Sequence, residues 1–247
     1  MNSGLLAQSQ NPLIISNGLV AYWSFHDGSG LTAIDFSGNR NDGILSGSGG
    51  PTWVPGRVGG GLSFVSSSVA LSHWVAFPTN HTLPIGTSPR TYATWVYTPT
   101  LSSYIFPIVY GNFGYTLRMV WMIMQDPAYV GVPGSQAFEI YGSTAWTGAS
   151  SIDLNAWTHI AVTSPGAPGG NYNVVFYKNG APIQGTYNVP YELNTSIGPE
   201  HYIMASGADA DLTKARSYGT AILNELRVYN RVLTATEILQ LYNAKGT

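Results

Sequence analysis

Short runs of β-branched and aromatic residues, separated by turn-forming sequences, occupy most of this chain. Residues 19–25 (LVAYWSF), for example, are followed by the turn-forming sequence DGSG at residues 27–30. Runs of this length and composition, bounded by Gly, Asp, Asn and Pro, predict β-strands. Further runs of the same kind lie at residues 61–64, 91–97, 105–110, 115–124, 137–141, 158–163, 174–177 and 222–229. The pattern predicts an all-β protein with many short strands.

Two local sequences make sharper predictions. Asn179-Gly180 separates two strand-like runs and predicts a tight hairpin, because both residues tolerate a positive φ angle. Only one segment predicts a helix: Thr234 is suited to cap its N-terminus, with Glu237 placed three residues later to complete a capping box. The apolar face of this helix consists of Ile238, Leu241 and Tyr242.

The chain of 247 residues has no internal repeat and no low-complexity linker. One β-sandwich can reach this length, so we expect a single domain over residues 18–247. Residues 1–17 are polar apart from two small apolar groups, Leu5-Leu6 and residues 13–15. We expect them to form an N-terminal arm that either is disordered or loosely docked, or packs on a neighbouring subunit.

Composition excludes several classes of partner. The formal net charge is −2 and the ten Lys and Arg residues are scattered, which is unlike a nucleic-acid-binding protein. There is no cysteine, so disulfides and thiolate metal sites are excluded. No apolar run approaches the ~20 residues that a membrane-spanning helix needs, and we predict no membrane insertion. Residues 1–18 contain no Lys or Arg and do not resemble a signal peptide.

Three stretches together are similar to a known family. They are residues 18–43 (with GLVAYWSF, DGSG and DFSGNRNDG), residues 155–180 (with NAWTHIAVT and FYKNG) and residues 224–238 (NELRVYNRVLTATEI). In this order and spacing they resemble the opening, middle and closing sequences of laminin-G-like domains of the concanavalin A-like superfamily. The resemblance covers about residues 18–243. It implies an all-β, two-sheet antiparallel jelly-roll sandwich with one short C-terminal helix.

Oxygen-bearing side chains are crowded into residues 35–43, in a flexible backbone. Calcium takes six to eight such oxygen ligands, so this loop suits a structural calcium ion. The resemblance implies that the loop acts together with an acidic residue of the last strand. The implied metal ligands are Asp35, Asn39, Asn41 and Glu225. Asp and Asn are also ordinary turn formers, and both interpretations stay open.

Aromatic side chains provide a second candidate site, because their rings can stack on sugar rings. The candidate ligand-binding residues are Trp121, Trp146, Tyr115, Tyr141 and Tyr202. Most aromatic residues of a β-sandwich belong to its core, so this site is predicted from the set rather than from any one member. Trp121 is flanked by Met119, Met122 and Met124, a setting typical of a buried residue or of one that faces a partner subunit.

A catalytic site is not predicted. A glycoside hydrolase of this superfamily would carry two carboxylates on one face of a strand, and the chain has only twelve acidic residues. Asp209 and Asp211 have the required spacing, but their neighbours are typical of a loop. His159 lies in a predicted strand without a nucleophile motif and is expected to be structural.

The sequence therefore predicts a non-catalytic surface module for recognition or assembly. Its partner would be a surface glycan or a protein, with self-assembly through the N-terminal arm as a further possibility. A phage virion component or a cell-surface protein, located outside the cell or on the virion surface, fits this description. A glycan-degrading enzyme of the same superfamily is the alternative.

Overall fold

The computed structural model describes residues 15–65, 73–101, 104–112, 118–124, 132–140, 143–166, 173–187, 194–198, 200–203 and 219–244. Residues 1–14 of the predicted arm, Tyr115, Tyr141, Asp209 and Asp211 lie outside these ranges. Of the arm, Ile15 packs against the second apolar cluster defined below. A membrane-spanning helix is not found in the described part of the chain, since none has the necessary length and apolar character.

Seventeen strands and a C-terminal helix make up the described fold. In chain order they are β1 (Leu19–Trp23), β2 (Thr32–Ala33), β3 (Gly43–Gly47), β4 (Thr52–Pro55), β5 (Gly60–Phe64), β6 (His73–Ala76), β7 (Arg90–Tyr97), β8 (Ile105–Gly111), β9 (Arg118–Met124), β10 (Ser135–Ile140), β11 (Ser143–Thr147), β12 (Thr158–Ser164), β13 (Val175–Lys178), β14 (Ala181–Ile183), β15 (Gly185–Tyr187), β16 (Glu200–Ile203), β17 (Ala221–Tyr229) and α1 (Ala235–Asn243).

The strands form two antiparallel sheets. Sheet A has eight strands in the order β14-β13-β12-β7-β17-β5-β4, with β1 also paired to β17. Sheet B has nine strands in the order β15-β11-β10-β9-β8-β16-β6-β3-β2. The predicted two-sheet sandwich with one C-terminal helix is confirmed.

The main core lies between the sheets because alternate residues of each strand point inward. On β7, Tyr92 and Val96 belong to this core, whereas Ala93 faces away from it and belongs to a second apolar cluster. That second cluster covers part of the outer face of sheet A. Its other buried members are Ala161, Tyr177, Tyr229, Leu233, Ile238 and Leu241. The small Ala93 and Ala161 side chains therefore lie in the cluster against which α1 packs.

Both sharp local predictions are confirmed. The Thr234 hydroxyl accepts a hydrogen bond from the Glu237 amide at 3.2 Å, and the Glu237 carboxylate accepts one from the Thr234 amide at 2.8 Å. This is the predicted capping box. Asn179 and Gly180 join β13 to β14 with φ angles of 50° and 81°. The positive angles explain why this pair of residues occupies the turn.

A β-bulge interrupts β17 at Asn224-Glu225, where the pairing with β7 changes register. Glu225 has a φ angle of 61°, which is unusual for a residue with a side chain. The fully buried Asn224 amide group donates to the carbonyls of Ser24 (3.1 Å), Val58 (3.1 Å) and Gly60 (2.7 Å). Its oxygen accepts a hydrogen bond from the Val58 amide at 3.0 Å. Asn224 thus joins the end of β1 and the β4–β5 turn to the central strand.

We expect the substitution Asn224→Ala to destabilise the protein by about 2–4 kcal/mol, because it leaves several buried backbone groups without partners. Urea unfolding followed by circular dichroism measures this. The matched control is Asn243→Ala, at an exposed position in the last turn of α1. Equal stability of the two variants would contradict the role assigned to Asn224.

Two buried histidines make the fold sensitive to acid. Burial lowers the pKa of His159 to about 3, and the nearby Arg227 charge acts in the same direction. Burial also lowers the pKa of His81 to about 4, assisted by the neighbouring His201. Among the described residues, His159 Nδ1 has no hydrogen-bond partner, whereas its ring lies against Trp95. The expected structural role of His159 agrees with this position.

Both folded pKa values lie below the unfolded value of about 6.5, so the unfolded chain binds protons more readily. We expect each histidine to cost about 1.4 kcal/mol of stability per pH unit as the pH falls below about 6.5. The substitution His159→Phe keeps an aromatic ring and removes one such proton-binding group. Urea unfolding between pH 7.5 and pH 4.5 should therefore show a shallower loss of stability in this variant than in the wild type. Identical slopes would refute this assignment.

Candidate functional site

The outer face of sheet B carries a group of aromatic side chains outside the main core. Phe106, Val109 and Ala137 form a buried cluster there, and the partly buried rings of Tyr104 and Trp146 pack against it. We call these five residues the Trp146 cluster. Such an arrangement, with aromatic rings partly exposed at the edge of a buried apolar floor, can bind the apolar face of a sugar ring.

A second aromatic group on the same face lies on β16 and β6, the two strands that follow β8 in the sheet. Tyr202 is buried there, with the partly buried Trp74 and Ala76 packed against it. The strand register connects the groups, because Val109 pairs with Tyr202 and Tyr202 pairs with Ala76. The face is therefore one continuous row of positions across β8, β16 and β6.

The predicted aromatic residues have different locations. Trp146 and Tyr202 lie on this outer face, although Tyr202 is buried. Trp121 is in the main core between the sheets, where its indole nitrogen donates to the Gln136 side chain at 3.2 Å. A ring buried in the core cannot stack on a ligand, so Trp121 leaves the candidate set. Tyr115 and Tyr141 lie outside the described residues.

The sequence interpretation missed Trp74, Tyr104 and Phe106. Trp74 lies in β6 next to Val75, which belongs to the core. Because neighbouring residues of a strand point to opposite faces, this alternation could have placed Trp74 on the outer face. Phe106 lies in β8, where a bulge between Ile105 and Ile108 disturbs the pairing with β9. Simple alternation does not assign a face to residues at such a bulge.

The Asp35 loop is a dense hydrogen-bond network. The Asp35 carboxylate accepts hydrogen bonds from the backbone amides of Tyr22 (2.8 Å), Ser37 (2.9 Å) and Asn41 (2.9 Å). It also accepts from the Ser37 hydroxyl and from the Asn41 side-chain amide. These contacts hold the loop on the edge of β1, as expected of an Asp that organises a turn.

The same loop brings several oxygen-bearing side chains to one backbone carbonyl. The Val20 carbonyl accepts hydrogen bonds from Ser37, Asn39, Asn41 and Thr82 at 2.9–3.3 Å. Three of the four implied calcium ligands, including Asp35, are thereby close together. In the described part of the chain, no group of three or more His, Asp or Glu side chains is placed to hold a metal ion.

Glu225, the fourth implied ligand, belongs to a different group. Its carboxylate accepts a hydrogen bond from the Tyr22 hydroxyl at 2.9 Å, whereas the Asp35 carboxylate binds the backbone amide of the same tyrosine. Glu225 also forms ion pairs with Arg227 and, at 3.0 Å, with His26. The structure thus places Glu225 at the far end of Tyr22 from the loop.

The electrostatics of this group are those of a neutralised ion cluster. Burial alone would raise the pKa of Glu225, but the hydrogen bond from His26 and the charge of Arg227 lower it below its usual range. The hydrogen bond to Glu225 in turn raises the pKa of His26. A carboxylate whose pKa is held low in this way is not suited to serve as the protonated acid of an acid–base pair. The cluster connects the bulge in β17 to Tyr22 and His26.

Solved structures share this fold at low sequence identity. Domain 4 of the GH43 extracellular arabinanase AbnA from Geobacillus stearothermophilus, in complex with arabinotriose, has a TM-score of 0.62 and 16% identity, with 91% of this chain and 98% of that chain covered. The binding domain of Paraclostridial Mosquitocidal Protein 1 has a TM-score of 0.61 and 17% identity, covering 93% and 52%. Trypanosoma rangeli sialidase in complex with sialic acid has a TM-score of 0.58 and 18% identity, covering 91% and 32%.

These neighbours include both enzymes and binding domains, and this chain spans about half of the second and a third of the third. No curated protein sequence matches it. The profile of a laminin-G-like family, described as the concanavalin A-like lectin/glucanases superfamily, matches residues 69–239, which is more than half of the chain. The protein belongs to this family.

Proposed function

We propose that this protein is a non-catalytic recognition module that binds a glycan through the outer face of sheet B. The observation that carries this proposal is the Trp146 cluster, where the partly exposed rings of Trp146 and Tyr104 border a buried apolar floor. Aromatic rings bind sugars by contact with the C–H groups of the pyranose or furanose face. Trp74 supplies a further ring on the same face.

Two neighbouring structures support a sugar as the ligand. One arabinanase domain was solved with arabinotriose, and it is covered over nearly its whole length by this chain. A botulinum neurotoxin binding domain with a TM-score of 0.60 and 12% identity was solved in complex with SialylT. At these identities the likeness concerns the fold alone. The proposal that this chain binds a sugar therefore rests on its own aromatic residues.

The two acidic residues in the described strands of sheet B lie on strands that are not neighbours, which favours binding over hydrolysis. In the described strands of sheet B, Glu139 on β10 and Glu200 on β16 are separated by β9 and β8. Three strand spacings amount to about 14 Å. The two carboxyl groups of glycoside hydrolases are about 5–9.5 Å apart. A glycan-degrading enzyme is the alternative, and turnover of a polysaccharide would establish it.

We expect Trp146→Ala to weaken glycan binding at least about tenfold, because it removes a stacking ring. A panel that includes arabinotriose and sialic acid identifies the ligand, and calorimetry then compares the variants. The matched control is Phe36→Ala, since Phe36 is a 54% exposed aromatic residue that lies against Tyr22 of sheet A. The proposal fails if no glycan binds, or if both variants bind like the wild type.

A structural calcium ion at the Asp35 loop is a separate proposal. Asp35 and Asn39 would contribute oxygens to it, Asn39 after a half-turn of its side-chain amide. The Asn41 oxygen already accepts the Thr82 backbone amide at 3.0 Å, so Asn41 would have to give up that hydrogen bond to take part. Ser37, Thr82 and the Val20 carbonyl add hard oxygen donors, which calcium prefers. Bound calcium would fasten this loop to β1 and have no part in a reaction. Glu225 is not included, since its charge is compensated elsewhere.

We expect the melting temperature to fall when calcium is chelated and to rise again when calcium is restored, because a ligand of the folded state stabilises it. Asn39→Ala should reduce this response, since Asn39 is exposed and makes few other contacts. Differential scanning calorimetry in calcium and in chelator measures both. An unchanged wild-type melt in chelator would disprove calcium binding.

Self-assembly through residues 1–17 and a location at the cell or virion surface stay predictions. The described end of the arm contacts its own domain, because Arg231 donates a hydrogen bond to the Asn17 carbonyl at 2.8 Å. Sedimentation of the full chain and of a chain lacking residues 1–14 would test assembly through the arm.

A further inference from the structure

A second group of aromatic residues lies on the outer face of sheet A, beside the part that α1 covers. Trp95 and Tyr97 are two residues apart on β7 and share this face with Ala93. Trp157 precedes β12 and its ring lies 5.7 Å from that of Tyr97. Tyr97 and Trp157 are both partly exposed. The pair thus offers an aromatic surface that is not part of the Trp146 cluster.

An exposed arginine completes this group. The Arg57 guanidinium lies over the Trp95 ring, 5.1 Å from its centre. Trp95 is itself held by His159 and Tyr242, whose rings are 5.2 Å and 5.5 Å away. Among the described residues, no acidic side chain forms an ion pair with Arg57. Its charge and its fork of N–H donors are therefore available to an anion.

The backbone that carries Arg57 is built to hold it in this position. Arg57 lies in the β4–β5 turn, which Asn224 fastens to β17 through Val58 and Gly60. The turn closes with a hydrogen bond from the Gly56 amide to the Gly59 carbonyl at 2.9 Å. A Cβ atom at Gly56 would meet the Gly60 carbonyl oxygen at 2.2 Å, so this close-packed turn requires glycine there.

We infer that Arg57, Tyr97 and Trp157 form a binding site for an acidic sugar, with its carboxylate on Arg57 and its ring on the aromatic pair. Trp95 and Tyr97 are about 7 Å apart along β7, which is close to the breadth of one sugar ring. Arg57 lies over Trp95, and the aromatic pair begins two residues further along the same face of β7. This ligand class differs from that of the Trp146 cluster, which carries no cation among its five residues.

Short galacturonic acid oligosaccharides and their methyl esters provide the test, because esterification removes the charge and keeps the ring. Calorimetry of the full chain should show binding of the acids and about ten- to a hundredfold weaker binding of the esters. Arg57→Gln should weaken acid binding by a similar factor, and Arg57→Lys by less, since lysine keeps the charge without the planar fork. Trp157→Ala should also weaken it.

Lys178→Ala is the matched control for charge. Lys178 is also a cation of sheet A, but it is already paired with Asp153 at 2.6 Å, so its loss should leave acid binding unchanged. A galacturonide ring can also stack on the Trp146 cluster, so the difference in affinity between acid and ester, which depends on Arg57, is what separates this site from the glycan site of sheet B. Absence of acid binding, equal binding of acids and esters, or equal effects of Arg57→Gln and Lys178→Ala would each overturn the inference.

Discussion

The β-bulge at Asn224-Glu225 is the constraint on which the arrangement of sheet A depends. β17 is the central strand to which β1, β5 and β7 all pair, and the bulge is where its register against β7 changes. The extra residue turns the Asn224 side chain toward the β4–β5 turn and the Glu225 side chain toward Tyr22, His26 and Arg227. One irregularity therefore connects three segments that are distant in sequence. The unusual φ angle of Glu225 persists because this surrounding network holds it.

The two outer faces of the sandwich differ in what covers them. Sheet A has α1 over Ala93 and Ala161, a buried ion cluster around Glu225, and an aromatic strip beside Arg57. Sheet B presents aromatic rings in two groups along one row of positions, without a helix of the described chain among them. On sheet A, the buried ion cluster and the contacts with α1 serve the structure. Partly exposed rings are suited to recognition.

Local chemistry could be predicted from the sequence, whereas long-range pairing could not. The Thr234–Glu237 capping box and the Asn179-Gly180 turn depend only on adjacent residues, and both are confirmed. Trp121 and Trp146 are both candidate ligand-binding residues by sequence, and the methionines beside Trp121 indicate burial or a partner contact without deciding between them. The register of β9 and β11 sends the Trp121 ring into the core and the Trp146 ring to the surface. Arg57 could not be predicted as a site residue from the sequence, because its position over the Trp95 ring depends on a contact with a different strand.

Recognition of a glycan by the outer face of sheet B is most directly tested by nuclear magnetic resonance of the tryptophan indole groups. The chain has seven tryptophans, which report separately on the core and on both outer faces. When the glycan identified by panel screening is added, the indole N–H signal of Trp146 should shift, while those of the core residues Trp23 and Trp121 should not. Binding without any shift of the Trp146 signal would contradict the proposed site.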